Sequence, residues 1–221
     1  MLRGFEIELK ELKAELLKMG GYVELAISKA TEGLNLRDPS CLKEVRLVEN
    51  KINEAHVIID NMCLEILARL SPVAADLRLI LSVIKINTDL ERMGDQAMNI
   101  SYNTEHYLDD KSVELSLELP KMSELVKAMV RDALDSFMNA DIQLARNVLT
   151  RDDAVDKIKN NSLKLMVPYM QNNPSKIEAA LDLILIARNL ERMGDHATNI
   201  AEDVIFTYTG VDIRHGLSKD P

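Results

Sequence analysis

The chain has 221 residues, of which 47% are hydrophobic but only 4% aromatic, with no Trp, eight Gly and six Pro. This composition favours an all-helical fold whose core is aliphatic. The formal net charge of −9 disfavours nucleic acid and anionic membrane surfaces as partners.

Hydropathy, the N-terminal residues and the spacing of the cysteines together predict a cytoplasmic protein. No stretch reaches the roughly 18 uncharged apolar residues of a membrane span, so we expect a protein that is not membrane-inserted. The first 18 residues are amphipathic and have neither the basic n-region nor the apolar h-region of a signal peptide. Cys41 and Cys63 have neither zinc-site nor disulfide spacing, which is typical of a cytoplasmic protein.

Apolar residues recur at steps of three and four in the first half and predict three long helices. The first begins near residue 4, and Gly20–Gly21 is a candidate kink. The second begins at Asp38–Pro39, a capping residue followed by proline at the first helical position. Ser71–Pro72 repeats that signal before the third helix, which runs to about Tyr107.

The same order of helices follows in the second half. Asp109–Ser112 is polar, charged and the best linker candidate. The fourth and fifth helices connect through Asn139–Asp141, and the fifth weakens around Pro168. Asn173–Pro174 caps the sixth, which runs to about Tyr208.

We therefore predict an all-α fold of two tandem three-helix bundles, six long helices in all, related by internal duplication. The first bundle comprises residues 1–110 and the second residues 115–209. Residues 210–221 have no apolar periodicity and are expected to form a mobile tail.

The clearest sign of duplication is the stretch Leu90–Ile100, which recurs 100 residues later with nine of eleven positions identical. In a helix Glu91 and Asp95 lie on one face, one turn apart, as do Glu191 and Asp195. No basic residue follows four positions on in either copy. Because such carboxylates repel each other, a metal cation between them is a candidate function of the repeat.

A glycine, Gly94 or Gly194, precedes the aspartate in both copies. Glycine inside a helix costs about 1 kcal/mol relative to alanine, which indicates close approach by another helix or by a bound ion. Acidic runs are also common on solvated helix faces, and under that alternative the protein is a metal-free helical scaffold.

The second helix of each half offers further oxygen ligands. Asp152 and Asp156 lie four apart, and at a spacing of 103 the first half offers Glu49 and Asn53. An all-oxygen set suits Mg, Ca, Mn or ferric iron. The Glu-x-x-His pattern of di-iron enzymes is missing. A metal-dependent hydrolase or oxidase remains an alternative, but it would need a positioned base. No histidine occurs at equivalent positions in the two halves.

The doubled Leu-Glu-Arg-Met-Gly-Asp-x-Ala-x-Asn-Ile motif, the acidic pairs on the preceding helices and the N-terminal Phe5-x-x-Glu8-Leu9-x-x-Leu12 pattern resemble the PhoU family. The resemblance covers about residues 5 to 208. It implies a non-enzymatic cytoplasmic regulator of phosphate uptake, commonly a homodimer. Such proteins act as adaptors between the ATPase of the phosphate ABC transporter and a sensor histidine kinase, and repress the starvation response when phosphate is plentiful.

The resemblance also implies iron or zinc clusters held by acidic pairs. The ligands it implies in this chain are Glu91, Asp95, Glu191, Asp195, Asp152 and Asp156, with Glu49 as a weaker member. Asn53 departs from the acidic pattern, so we expect the site in the first half to be weaker or differently occupied.

Overall fold

The computed structural model describes residues 2–109 and 117–214, with side chains described from residue 6 onward. These ranges contain no strand and six α-helices: α1 (Leu2–Leu36), α2 (Pro39–Leu70), α3 (Ala75–Asp109), α4 (Leu119–Asn139), α5 (Ile142–Asn172) and α6 (Ile177–Thr209). The predicted all-α fold with a duplicated set of three helices is confirmed.

The helices of each half pack on one another, and the halves meet where α3 lies against α6 and α1 against α4. One apolar core runs through both halves and is mainly aliphatic, with Phe137 as its largest fully buried side chain. Because Lys85 contacts Asp203 near one end of the pair and His106 contacts Asp182 near the other, α3 and α6 are antiparallel.

Helix α1 is uninterrupted through Gly20–Gly21, where the sequence suggested a kink. Gly20 instead allows α1 to approach α4, since a Cβ added there would overlap Leu134 Cδ1. α5 likewise continues through Pro168 to Asn172, so the weakening expected at that proline does not end the helix.

The cap predicted at Asp38 is confirmed, and Asp141, predicted only as part of a connection, forms a second cap of the same kind. Asp38 accepts a hydrogen bond from the Ser40 backbone N at 2.9 Å and caps α2. Asp141 accepts one from the Leu144 backbone N at 2.9 Å and caps α5. In both cases the carboxylate satisfies an amide that the first helical turn leaves unpaired.

The cap predicted at Ser71–Pro72 is wrong. Ser71 has φ 45° and ψ 56°, a left-handed conformation that ends α2, and α3 begins only at Ala75. Asn173 also differs from its prediction, because its side chain does not cap the helix that follows but donates to the Tyr169 backbone oxygen at the end of α5. It leads into a short 3₁₀ turn, Pro174–Lys176, and α6 starts after that turn.

The predicted linker and the predicted C-terminal tail are each described only in part. α3 ends at Asp109, and the rest of the predicted linker lies outside the described residues. In the predicted tail, Gly210 ends α6 at φ 75° and Ile213 packs against the core. Residues 215–221 lie outside the described residues.

Cys41 and Cys63 are free and buried. No helix that the structure describes is long and apolar enough to cross a membrane.

Candidate functional site

The two copies of the repeat occupy equivalent environments. Residues 90–101 and 190–201 show the same sequence of buried, intermediate and exposed positions. A Cβ at Gly94 would lie 3.2 Å from two Ile52 side-chain atoms, and one at Gly194 would lie 3.4 Å from Val155 Cγ1. The close helix approach expected from the glycines is seen at Gly94, where α3 packs tightly on α2. At Gly194, α6 approaches α5 to a distance at which an added Cβ would still make an ordinary contact.

This approach brings four predicted site residues together in the second half. They form what we call the C-terminal acidic cluster: Asp152, Asp156, Glu191 and Asp195. The first two lie on α5 and the last two on α6. A Cβ added at Gly194 on α6 would lie 3.6 Å from Asp152 Oδ1 on α5.

The negative charges of this cluster act on one another. Partial desolvation, and then the charges of Glu191, Asp152 and Asp156, raise the pKa of Asp195 to about 6, against a smaller opposing effect of His196. The pKa of Asp152 is also raised, first by desolvation and then by neighbouring carboxylates. The ionised forms of Asp195 and Asp152 are therefore disfavoured, which is the electrostatic condition that attracts a cation.

A cation from the chain itself lies in the cluster. Lys159 Nζ donates hydrogen bonds to Glu191 Oε1 at 2.8 Å and contacts Asp156 Oδ1 at 3.0 Å. The lysine follows Asp156 by three positions, so the i,i+3 spacing could have revealed it, but its contact with α6 depends on tertiary packing. Lys159 was not among the predicted site residues, because a basic neighbour was sought only for the Glu91–Asp95 and Glu191–Asp195 pairs.

The equivalent set in the first half is arranged differently. Asn53 Nδ2 donates to Glu49 Oε1 at 2.6 Å, so the amide that replaces a carboxylate bonds its own helical neighbour. Glu91 and Asp95 line a groove beside the second repeat. The departure noted in the sequence at Asn53 thus has a local consequence, because one of the predicted ligands is already hydrogen-bonded within α2.

These arrangements bear on metal binding. Among residues 2–109 and 117–214, no group of three or more His, Cys, Asp and Glu side chains is placed so that it could hold a metal ion. The donor chemistry of the C-terminal acidic cluster suits a hard cation, but Lys159 occupies two of its four carboxylates. The residues as placed do not fit a bound metal, and ligation by the predicted acidic residues stays a prediction.

The two repeats share an open polar groove of about 690 Å³ between α3 and α6. Each copy contributes four of the lining residues: Glu91, Arg92, Asp95 and Gln96 from the first, and Arg192, Asp195, His196 and Asn199 from the second. Gln96 Oε1 is buried there without a hydrogen-bond partner in the described part of the chain. Sequence reasoning placed the two motifs in separate bundles and did not foresee that they meet.

Charged pairs join the two halves along α3 and α6. His196 Nδ1 donates to Asp89 Oδ1 at 2.8 Å, and Lys85 Nζ donates to Asp203 Oδ1 at 2.9 Å. No sequence pattern marks these pairs, because their members are more than 100 residues apart.

A third pair joins His106 Nδ1 to Asp182 Oδ2 at 2.8 Å. The hydrogen bond and charge of Asp182 raise the pKa of His106. Burial raises the pKa of Asp182, and His106 opposes that rise.

Comparison with known proteins gives a consistent result. A family model described as PhoU domain matches the chain twice, over residues 16–104 and 119–204. A phosphate-specific transport system accessory protein PhoU homolog from Pseudomonas putida is 40% identical over 217 residues, covering 97% of this chain and 85% of that protein. The homolog from Aquifex aeolicus is 36% identical, covering 96% of each chain.

Two crystal structures are also similar. PhoU from Pseudomonas aeruginosa is 37% identical with a TM-score of 0.89, covering 94% of this chain and all of that one. The phosphate transport system regulatory protein PhoU from Streptococcus pneumoniae is 27% identical with a TM-score of 0.87, covering 95% of this chain and 99% of that one.

Proposed function

The chain belongs to the PhoU family, and we propose that it is an accessory protein of a phosphate-specific transport system that represses phosphate uptake and starvation signalling. The observation that carries this proposal is the match of both halves to the PhoU domain, together with relatives of that name covered almost end to end.

In this role the protein is an adaptor. It contacts the ATPase subunit of the phosphate ABC transporter and the cytoplasmic part of a sensor histidine kinase, and it keeps the kinase inactive while phosphate is plentiful. The protein acts from the cytoplasm as a homodimer and catalyses no reaction. Its relatives carry the names of accessory and regulatory proteins, which supports a binding role.

The placement of the histidines also supports a role without catalysis. His196, the histidine nearest the C-terminal acidic cluster, is tied to Asp89 on the other half. His56 lies between Asp60 and the backbone oxygen of Asn87. A general base needs a ring nitrogen that faces a site where substrate could bind, and both ring nitrogens of His56 face these structural partners.

Deletion of the gene tests the proposal. In medium with abundant phosphate, the deletion strain should express a starvation-promoter reporter at the level of starved wild-type cells and should take up phosphate faster. Expression of the full chain from a plasmid should restore repression. A strain that lacks both the chain and the transporter serves as control, because faster uptake in the deletion strain must depend on the transporter. Full repression in the deletion strain would contradict the proposal.

A further inference from the structure

The strongest unassigned feature of the molecule is the ammonium group of Lys159 in the C-terminal acidic cluster. It lies 3.0 Å from Asp156 Oδ1 on its own helix and 2.8 Å from Glu191 Oε1 on α6. Lys159 and Glu191 are only 22% and 18% exposed, so solvent screens this contact less than it screens a surface pair. Lys159 therefore makes a charge-assisted bridge between the two helices.

A bridge between carboxylates of neighbouring helices is the role that the sequence pattern suggests for a metal. A hard cation would lie about 2.0–2.6 Å from the same oxygens. It would then stand within a few ångströms of Nζ, and the two positive charges would repel each other. The ammonium and a divalent cation thus compete for Asp156 and Glu191.

The described part of the first half has no equivalent of the ammonium bridge that Lys159 makes in the second half. At the repeat spacing of 103, His56 stands where the second half has Lys159, and it contacts Asp60 at 3.5 Å. The first half has no carboxylate at the position of Asp156, since Asn53 is there and donates to Glu49. The first half therefore has an amide in place of one carboxylate, whereas the second half keeps both carboxylates and adds an ammonium beside them.

We propose that Lys159 is the resident cation of the C-terminal acidic cluster, so that this cluster holds α5 against α6 without a metal ion. Replacement of the ammonium by a neutral group then turns the cluster into a site for one divalent cation such as Mn²⁺. The inference concerns this chain's own residues and does not depend on phosphate regulation.

Metal content and thermal stability of the purified full chain test the proposal. Wild type, Lys159→Gln and Lys157→Gln are dialysed against Mn²⁺, passed through a desalting column, analysed for metal and melted with and without chelator. Lys157 is a matched control because it lies on the same helix, is exposed and loses the same charge. Lys159→Arg retains the charge and shows whether the position tolerates substitution.

Wild type, Lys157→Gln and Lys159→Arg should retain no metal that depends on Glu191, and chelator should leave their melting temperatures unchanged. Lys159→Gln should melt below Lys157→Gln in chelator, and should retain about one Mn²⁺ per chain and regain stability with it. Adding Glu191→Gln to that variant should abolish the gain.

Two results would overturn the proposal. One is wild-type protein that retains a metal lost on Glu191→Gln. The other is a Lys159→Gln variant that matches Lys157→Gln in both metal content and melting temperature.

Discussion

His196 on the second repeat donates a hydrogen bond from Nδ1 to Asp89 Oδ1 beside the first repeat, at 2.8 Å. Both side chains are about 15% exposed, so the pair is largely shielded where the halves meet. The duplication puts Asn189 and Gln96 at the equivalent positions. Asn189 bonds the backbone of its own helix, and Gln96 Oε1 is buried without a partner in the described chain. The Asp89–His196 hydrogen bond therefore has no counterpart between the equivalent residues Asn189 and Gln96.

The Asp89–His196 link should contribute to stability as a coupled pair. We expect Asp89→Asn and His196→Gln each to lower the free energy of unfolding by about 1 kcal/mol. The double variant should lose less than the sum, with a coupling energy of at least about 0.5 kcal/mol. Urea unfolding of the four proteins measures this.

The control for the Asp89 change is Asp153→Asn, which removes the same charge from an exposed position on α5. It should change stability by less than about 0.5 kcal/mol. Additive effects of Asp89→Asn and His196→Gln would show that the contact is not made in solution.

The His106–Asp182 pair predicts a pH dependence. The pKa of His106 is raised in the folded chain, so the folded state binds the proton more tightly than the unfolded state. Its stabilising effect is complete below the ordinary histidine pKa of about 6.5 and is lost as pH rises through the raised value. Wild type should therefore melt above His106→Gln at pH 6, and the gap should close by about pH 9. A gap that widens with pH would contradict this sign.

Removal of the Asp195 charge is expected to stabilise the folded chain, whereas removal of a charged side chain that makes favourable contacts destabilises it. Its ionised form is disfavoured in the folded chain by desolvation and neighbouring carboxylates. In chelator at pH 8, Asp195→Asn should raise stability by a few tenths to about 1 kcal/mol, after allowance for solvent screening. Asp95→Asn in the first repeat is the matched control, and chemical denaturation compares the two. A clear loss of stability in Asp195→Asn would mean that the carboxylate makes a favourable contact.

The repeat glycines differ in the room that they leave. An alanine Cβ at position 194 would be in ordinary contact, 3.4 Å from Val155, whereas at position 94 it would lie 3.2 Å from Ile52. Gly194→Ala should therefore gain up to about 1 kcal/mol of helix propensity. Gly94→Ala should gain less, because Ile52 must shift. Thermal melts of the two variants decide the order, and a larger gain at position 94 would contradict it.

The sequence was a good guide to the helices because each buries a continuous apolar stripe, which leaves the 3.6-residue period visible. Caps could be predicted where a side chain acts on its own helix, as at Asp38. Ser71 has the same composition signal, yet its left-handed backbone ends α2 instead of starting α3. That choice depends on how the chain must turn between packed helices, which residue types alone do not fix.

The candidate site was predictable only within each half. Regular spacing placed Asp152 and Asp156 on one helical face and Glu191 and Asp195 on another. The meeting of the two repeats in one groove could not be read from periodicity, because it depends on which outer faces of the bundles pack together. Asp89 therefore carried no signal in the sequence. The role of Lys159 was partly visible in its spacing from Asp156.

A binding measurement tests the central claim most directly. The full-length chain would be titrated against the purified ATPase subunit of the phosphate transporter from the same organism, with an ABC ATPase of unrelated specificity as control. The account predicts saturable binding to the phosphate transporter subunit, with a Kd on the order of micromolar as in transient regulatory complexes, and none to the control. Folded chain that binds neither this subunit nor the cytoplasmic part of the sensor kinase would contradict it.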